Sequence, residues 1–189
     1  MNIKKLLFLI TIFCVMSIGI HAQTEHLKFM GIPLTGSIAT FQSKLQAKGI
    51  TYNKKASMEL KAGCRVFNGT FSGEKADFYV YYNEKTKIVY RAKAVITCIN
   101  KEIGERTYQD FDSMLRSKYS EHVASTGEQN GHQSLSILVT DSKIERTLGY
   151  VGMYVTYPPY SFMDDMYIHI DYEDVTNKKD NANRNMDDL

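Results

Sequence analysis

Ala76, Phe78, Val80 and Tyr82 alternate with Asp77, Tyr79 and Tyr81, and shortly afterwards Ile88, Tyr90, Ala92, Ala94 and Ile96 alternate with Val89, Arg91, Lys93 and Val95. A period of two held over this length fits strands with one buried face, because successive Cβ atoms point to opposite sides of a pleated strand. Turn residues divide the strands at Ser72-Gly73-Glu74 and at Asn83-Glu84-Lys85-Thr86, and a strand over 64–71 completes an antiparallel meander. The pattern returns with Leu135, Ile137 and Val139, then with Val151, Met153, Val155 and Tyr157, and then with Met166, Ile168, Ile170 and Tyr172. Pro158-Pro159 must end a strand, since proline offers no N–H to a ladder. The polar, glycine-containing stretch from Ser125 to Gln133 reads as a loop.

A helical stripe precedes each set of strands. Ser37 is placed to cap a helix whose Ile38, Phe41 and Leu45 share one face, and Gly49-Ile50 ends it. The stripe recurs with an offset of 70 residues as Tyr108, Phe111 and Leu115, with Thr107 as the expected cap. Helices this short and one-sided must lay their apolar stripe on something else. The reading is therefore α+β: a tandem repeat of a helix plus three antiparallel strands, with the helices on one face of an antiparallel sheet. The expected segments are a signal peptide (1–22), a first repeat (23–100), a second repeat (101–173) and a disordered tail (174–189), the last from its charge and asparagine content. Ile38, Phe41, Leu45, Phe78, Val80, Ile88, Ile96, Tyr108, Phe111 and Leu115 are the expected core.

The first residues carry the pattern of an export signal. Lys4 and Lys5 precede an apolar run from Leu6 to Ile20, and Ala22 offers a small residue at the cut. The run is shorter than the roughly 20 apolar residues a membrane span needs, and polar Gln23, Thr24 and Glu25 follow it. A product cleaved near Ala22 is expected in the periplasm or outside the cell, with no segment spanning the membrane. Lys4 and Lys5 also account for the formal charge of +2, so residues 23–189 balance acids against bases. That balance, without a dense basic cluster, argues against nucleic acid as a partner.

Cys64 and Cys98 remain after cleavage. In the expected meander they sit near opposite ends, roughly 30 Å apart at ~3.3 Å per residue, whereas bridged Cα atoms lie within ~7 Å. Two free thiols on the inward phase of their strands are the expectation.

Several phrases together carry a resemblance: Phe29-Met30-Gly31-Ile32-Pro33-Leu34-Thr35-Gly36, Lys48-Gly49, Phe67-Asn68-Gly69-Thr70-Phe71-Ser72-Gly73, Ile88-Val89-Tyr90 and Leu115-Arg116-Ser117-Lys118-Tyr119. The chain resembles small secreted proteins of Bacteroidetes that open with a similar phrase and have a similar hairpin. The resemblance implies an exported domain and supplies no catalytic residues. In architecture alone, the helix-plus-sheet repeat is similar to beta-lactamase inhibitor proteins and to small outer-membrane assembly lipoproteins, both of which bind other proteins.

No motif for a metal protease, a serine hydrolase, a phosphate loop or a dithiol centre occurs in the chain. Tyr167, His169 and Asp171 share one strand face, where a histidine near a carboxylate can act in catalysis or metal binding, but the expectation is the solvated face of an amphipathic strand. Asp164, Asp165, Asp171, Glu173 and Asp174 lack the spacing of a calcium loop. No cofactor and no metal are expected. Tyrosine stands out instead, with 13 in the chain and no tryptophan. Tyr79, Tyr81, Tyr150, Tyr154 and Tyr167 fall on the phase opposite the buried one, with Arg91 and Lys93 at their margin. Tyrosine offers rigid contact area with a polar tip, which suits protein interfaces and sugar stacking. The sequence thus points to a non-enzymatic module that recognises an envelope or extracellular protein through this face. An envelope glycan or small ligand is the alternative, and would require a concave pocket.

Overall fold

The computed structural model describes residues 25–129, 132–143, 145–158 and 165–186, so the expected signal peptide and Asp164 lie outside the described residues. Among the described residues the fold is α+β, with four helices and a large antiparallel sheet. A small hairpin comes first, β1 (Lys28–Phe29) and β2 (Ile32–Pro33), turned through Met30 and Gly31, both at positive φ. Next come α1 (Ile38–Gln46), β3 (Thr51–Asn53), α2 (Lys54–Met58), β4 (Cys64–Phe71), β5 (Glu74–Tyr82) and β6 (Val89–Cys98). Then follow α3 (Lys101–Lys118), β7 (Val123–Gln129), β8 (His132–Asp141), β9 (Arg146–Thr156), β10 (Met166–Asp174) and α4 (Val175–Met186). Eight strands form one sheet in the order β3-β4-β5-β6-β10-β9-β8-β7.

Local chemistry explains much of this. The Ser37 hydroxyl accepts from the Thr40 amide at 3.1 Å, the expected cap of α1. Gly49, at φ +81°, lets the chain turn back so that the Ile50 amide reaches the Leu45 carbonyl at 3.1 Å. Ser72 and Gly73, both at positive φ, make the tight turn between β4 and β5. At the next turn the Asn83 side chain accepts from the amides of Lys85 and Thr86, each at 2.8 Å.

Alternate residues of the long strands form one core with the stripes of α1 and α3. Ile38, Phe41, Leu45, Phe67, Phe78, Ala94, Phe111, Ile137, Met153 and Ile170 all belong to it. Phe29 from the first hairpin sits at its centre, stacked on Phe71 at 5.8 Å and meeting Phe78 and Tyr172 edge-on at 6.0 and 5.3 Å.

Five sequence expectations change. The core phase of β6 begins at Val89, which is fully buried, whereas Ile88 is only partly buried. A register shift between Tyr81 and Tyr82, opposite Arg91 and Val89, inserts one residue and reverses the alternation. Helix α3 starts near Lys101, capped by the Asn100 side chain at 2.8 Å from the Ile103 amide, well before Thr107. The stretch expected as a loop over 125–133 contributes to β7 and β8, and β3 adds another strand, so the sheet holds more strands than three per half. Cys64 does not point inward: it pairs with Tyr81 and so shares a face with Val66 and Tyr79, whereas Cys98 is buried in the core. The thiols are free and lie on opposite faces.

The fifth change is at the C-terminal end. The sequence placed a disordered tail from Asp174; Asp174 ends β10 and α4 follows it. Asp174 is only 1% exposed. One carboxylate oxygen takes the Leu27 amide at 3.1 Å and the His26 Nδ1 at 3.0 Å, and the other caps α4 by accepting from the Asn177 amide at 2.9 Å. Asn177 in turn donates to the carbonyl of Leu34 at 2.6 Å. A composition poor in apolar residues is thus held by hydrogen bonds to buried backbone, which periodicity does not register.

Asp174→Ala would leave these donors unpaired in a dry site and is expected to cost about 3 kcal/mol by urea unfolding, as removal of one partner from a buried pair does. Two glycines of β9 separate packing from propensity. A Cβ on Gly149 would overlap the carbonyl of Glu173, while at Gly152 the nearest atom is 4.0 Å away. Gly149→Ala is expected to lose about 1–3 kcal/mol, and Gly152→Ala to gain about 0.5 kcal/mol, both read from the same unfolding curves.

Candidate functional site

The pairing registers stack the face opposite the core into rows that cross the sheet. One row runs Tyr81, Arg91, Glu173, Tyr150 and the next runs Tyr79, Lys93, Asp171, Gly152. A third runs Asp77, Val95, His169, Tyr154, and beyond it Tyr167 lies between Thr97 and Thr156. All five tyrosines expected to bind, with Arg91 and Lys93, therefore lie on this face. They do not form one cluster. Tyr79, Tyr81, Lys93 and Tyr167 line a groove of about 1100 Å³, whereas Tyr150 and Tyr154 stand on β9 to one side of it and Arg91 is outside its lining. Tyr150 is the most open of these tyrosines, at 46% exposed.

The walls of the groove come from loops. Leu60 to Cys64, linking α2 to β4, forms one side, and Tyr82 to Lys85 at the β5–β6 turn contributes another. These segments are held in place: Tyr82 donates its amide to the Gly63 carbonyl at 2.9 Å, and the Ser57 hydroxyl accepts from the Val66 amide at 2.8 Å. Sequence reasoning missed these walls, because nothing in residues 60–63 signals that they face Tyr79 and Tyr81. The Cys64–Tyr81 pairing was the available clue, and it depended on knowing the register.

Cations and rings interleave on this sheet face. The Arg91 guanidinium lies 5.0 Å from the Tyr81 ring centre, and the Lys93 ammonium 5.2 Å from that of Tyr79. Arg91 also grips Asp171 with two nitrogens, Nε at 2.8 Å from Oδ1 and one terminal nitrogen on Oδ2. This bidentate bond holds the guanidinium charged and raises its pKa. Lys93 lies opposite Asp171 in register but makes no ion pair or hydrogen bond among the described residues. Burial pushes the Lys93 ammonium below its usual range, opposed in part by Asp171 and reinforced by Arg91. Burial likewise pushes the Cys64 thiol up to about 11 and the Tyr81 hydroxyl up to about 12, so both are neutral near pH 7.

His169, read from sequence as a solvated strand residue, is half-buried. Its ring stacks flat on Tyr154, centroids 4.6 Å apart and planes 7° off parallel, and its Nε2 lies 2.7 Å from the Thr156 hydroxyl. Nδ1 is buried without a hydrogen-bond partner. The nearby carboxylate of Asp171 is engaged by Arg91, so the His169–Asp171 spacing does not produce a histidine–carboxylate pair. Burial first, and then the charge of Lys93, lower the imidazole to about 4, with Asp171 opposing. The ring is therefore neutral near pH 7.

The remaining acids of the C-terminal strand are also engaged: Glu173 with Lys178 at 2.7 Å, and Asp174 with His26. Among the described residues, no group of three or more His, Cys, Asp and Glu side chains is placed to hold a metal ion. No described helix is long and apolar enough to cross a membrane. No protein-family model, curated protein or solved structure matches the chain.

The lowered pKa of His169 has a defined sign. A folded-state value near 4 against 6.5 means the unfolded chain binds the proton more readily. The associated stability is present above about pH 6.5 and is lost as pH falls toward 4. In the native protein, nuclear magnetic resonance should place the His169 titration near pH 4, and His169→Gln should flatten the loss of unfolding free energy between pH 6.5 and 4. A native-state titration near 6.5 would show that the ring is solvated.

Proposed function

We propose that this chain is a non-enzymatic binding module of the periplasm or extracellular space, and that it recognises a protein through the sheet face carrying Tyr79, Tyr81, Tyr150, Tyr154 and Tyr167. The observation that carries the reading is the composition of the groove floor. Tyr79, Tyr81 and Tyr167 lie beside Lys93 in a depression of about 1100 Å³ on an antiparallel sheet. Partly buried tyrosines and arginine are enriched at the energetic centres of protein interfaces, and Arg91 lies over the Tyr81 ring beside the groove. The reading as a binder rather than a catalyst is supported by His169, whose ring is held by Thr156 and Tyr154 and has no carboxylate partner among the described residues. The leader-like residues 1–22 and the resemblance to secreted Bacteroidetes proteins support the compartment.

The architecture is also inferred to be a tandem repeat, each unit a helix followed by sheet strands. The mirror-like strand order supports this, since β3-β4-β5-β6 meets β10-β9-β8-β7 at the centre. The helices α1 and α3 are inferred to cover one face, because their stripes share the core with one phase of the strands. That arrangement would leave the tyrosine face uncovered.

A second reading, an envelope glycan or small ligand, is favoured by the concavity itself, whose volume is near the upper end of the roughly 300–1,000 Å³ typical of ligand pockets. The two readings part on size of partner. The protein purified from cells expressing the full-length chain, used as bait on solubilised envelope and culture medium, should enrich a protein that is lost with the Tyr79→Ser, Tyr81→Ser double variant. Loss of interface hot-spot tyrosines is expected to weaken binding by about 2 kcal/mol or more, while the fold, followed by circular dichroism, persists. Capture unaffected by the double variant excludes this face, and thermal stabilisation by a glycan with no protein captured supports the second reading.

A further inference from the structure

The groove has one feature that general stickiness does not explain: a half-buried cation without an ion-pair partner among the described residues. Lys93 stands on the central strand β6, with its ammonium over the Tyr79 ring. Its cross-strand neighbour Asp171 would ordinarily neutralise it. Instead, Asp171 is taken by the bidentate grip of Arg91, a planar fork that matches a carboxylate better than an ammonium does. Asp77, the other carboxylate near the floor, accepts from the Asn68 side chain and makes no ion pair with Lys93 among the described residues, while Cys64 and His169 are neutral. The hydroxyls of Tyr79, Tyr81 and Tyr167 line the same groove and make no hydrogen bond among the described residues. A desolvated ammonium beside unused hydroxyl donors is arranged to receive an anion.

We propose that the groove receives a protruding segment of a partner protein that places one Asp or Glu carboxylate on Lys93, with flanking side chains packed on Tyr79, Tyr81 and Tyr167. This rests on the reading of the sheet face as a protein-binding surface, and specifies the chemistry of its partner. The carboxylate completes the ion pair that Asp171 does not make, and the tyrosine hydroxyls donate to its free oxygen. A single anchoring charge is favoured over a polyanion. Lys61, Lys85 and Lys93 stand against Asp77 and Glu84 in the groove lining, an excess of one positive charge. One carboxylate balances that excess, and each further acid would add charge with no cation to match it.

The test needs no knowledge of the natural partner. A phage-displayed library of random 12-residue peptides is selected on the full-length chain's purified product, and the enriched peptides are synthesised with each Asp or Glu changed singly to its amide. The expected result is one acidic position shared by the selected peptides. Its conversion to Asn or Gln should weaken binding about tenfold or more, Lys93→Met should weaken it to the same extent, and Lys93→Arg should restore much of it. Since the amide change touches only the peptide, the result stands even if Lys93→Met fails to fold. Peptides that need Tyr79 and Tyr81 but show no acidic position would overturn the carboxylate assignment and leave the protein-binding face intact. Peptides indifferent to Tyr79→Ser and Tyr81→Ser, or the selection of none, would overturn both.

Discussion

The antiparallel pairing of β6 with β10, running from Cys98 opposite Met166 to Arg91 opposite Glu173, is the constraint on which the rest of the molecule depends. These strands are far apart in sequence, and their pairing makes one sheet of what would otherwise be two small ones. On the core side the pairing brings Ala92, Ala94 and Ile96 against Ile168, Ile170 and Tyr172, so both helices share one apolar interior. On the other side it brings Arg91 and Lys93 against Asp171 and Glu173. A slip by one residue would exchange the faces and bury those charges.

The Arg91–Asp171 bond sits on this seam, and its consequences run in two directions. It ties the two halves with a charge-assisted fork in a partly dry site, and it removes Asp171 from both of its other neighbours, Lys93 and His169. The cation of one and the imidazole of the other are left to be settled by their rings, Tyr79 and Tyr154. A pair that contributes to structure thus shapes what the adjacent groove can bind. Asp174, on the opposite phase of β10, plays a comparable part at the core edge, gathering the N-terminal segment and α4 onto one carboxylate.

Much of this was legible in the residues. The stripe of Ile38, Phe41 and Leu45, the caps at Ser37 and Gly49, and the alternations in β5, β8, β9 and β10 could be read directly, because burial on one side of a regular element leaves a periodic trace. What failed to show was of three kinds. The bulge at Tyr81–Tyr82 changes phase without changing composition, so the Ile88 end of β6 was assigned to the wrong face. Strand β7, exposed at every residue, has no buried face and hence no alternation. Helix α4 is fastened at its start by Asp174 and Asn177 rather than by an apolar stripe.

The sequence by itself determined the α+β class, the core side of most strands, and the set of tyrosines that would share the opposite side, because side-chain direction along a strand follows from backbone geometry alone. Only the tertiary structure decided which of those residues meet. Strand order and register are set by contacts between distant segments, and these separated Tyr79, Tyr81, Lys93 and Tyr167, which line the groove, from Tyr150 and Tyr154, which do not. The same non-local choice turned Cys64 outward, gave Asp171 to Arg91, and left Lys93 without an ion pair among the described residues. Competition among charges for one partner is decided by distance and direction across strands, which a linear pattern does not contain.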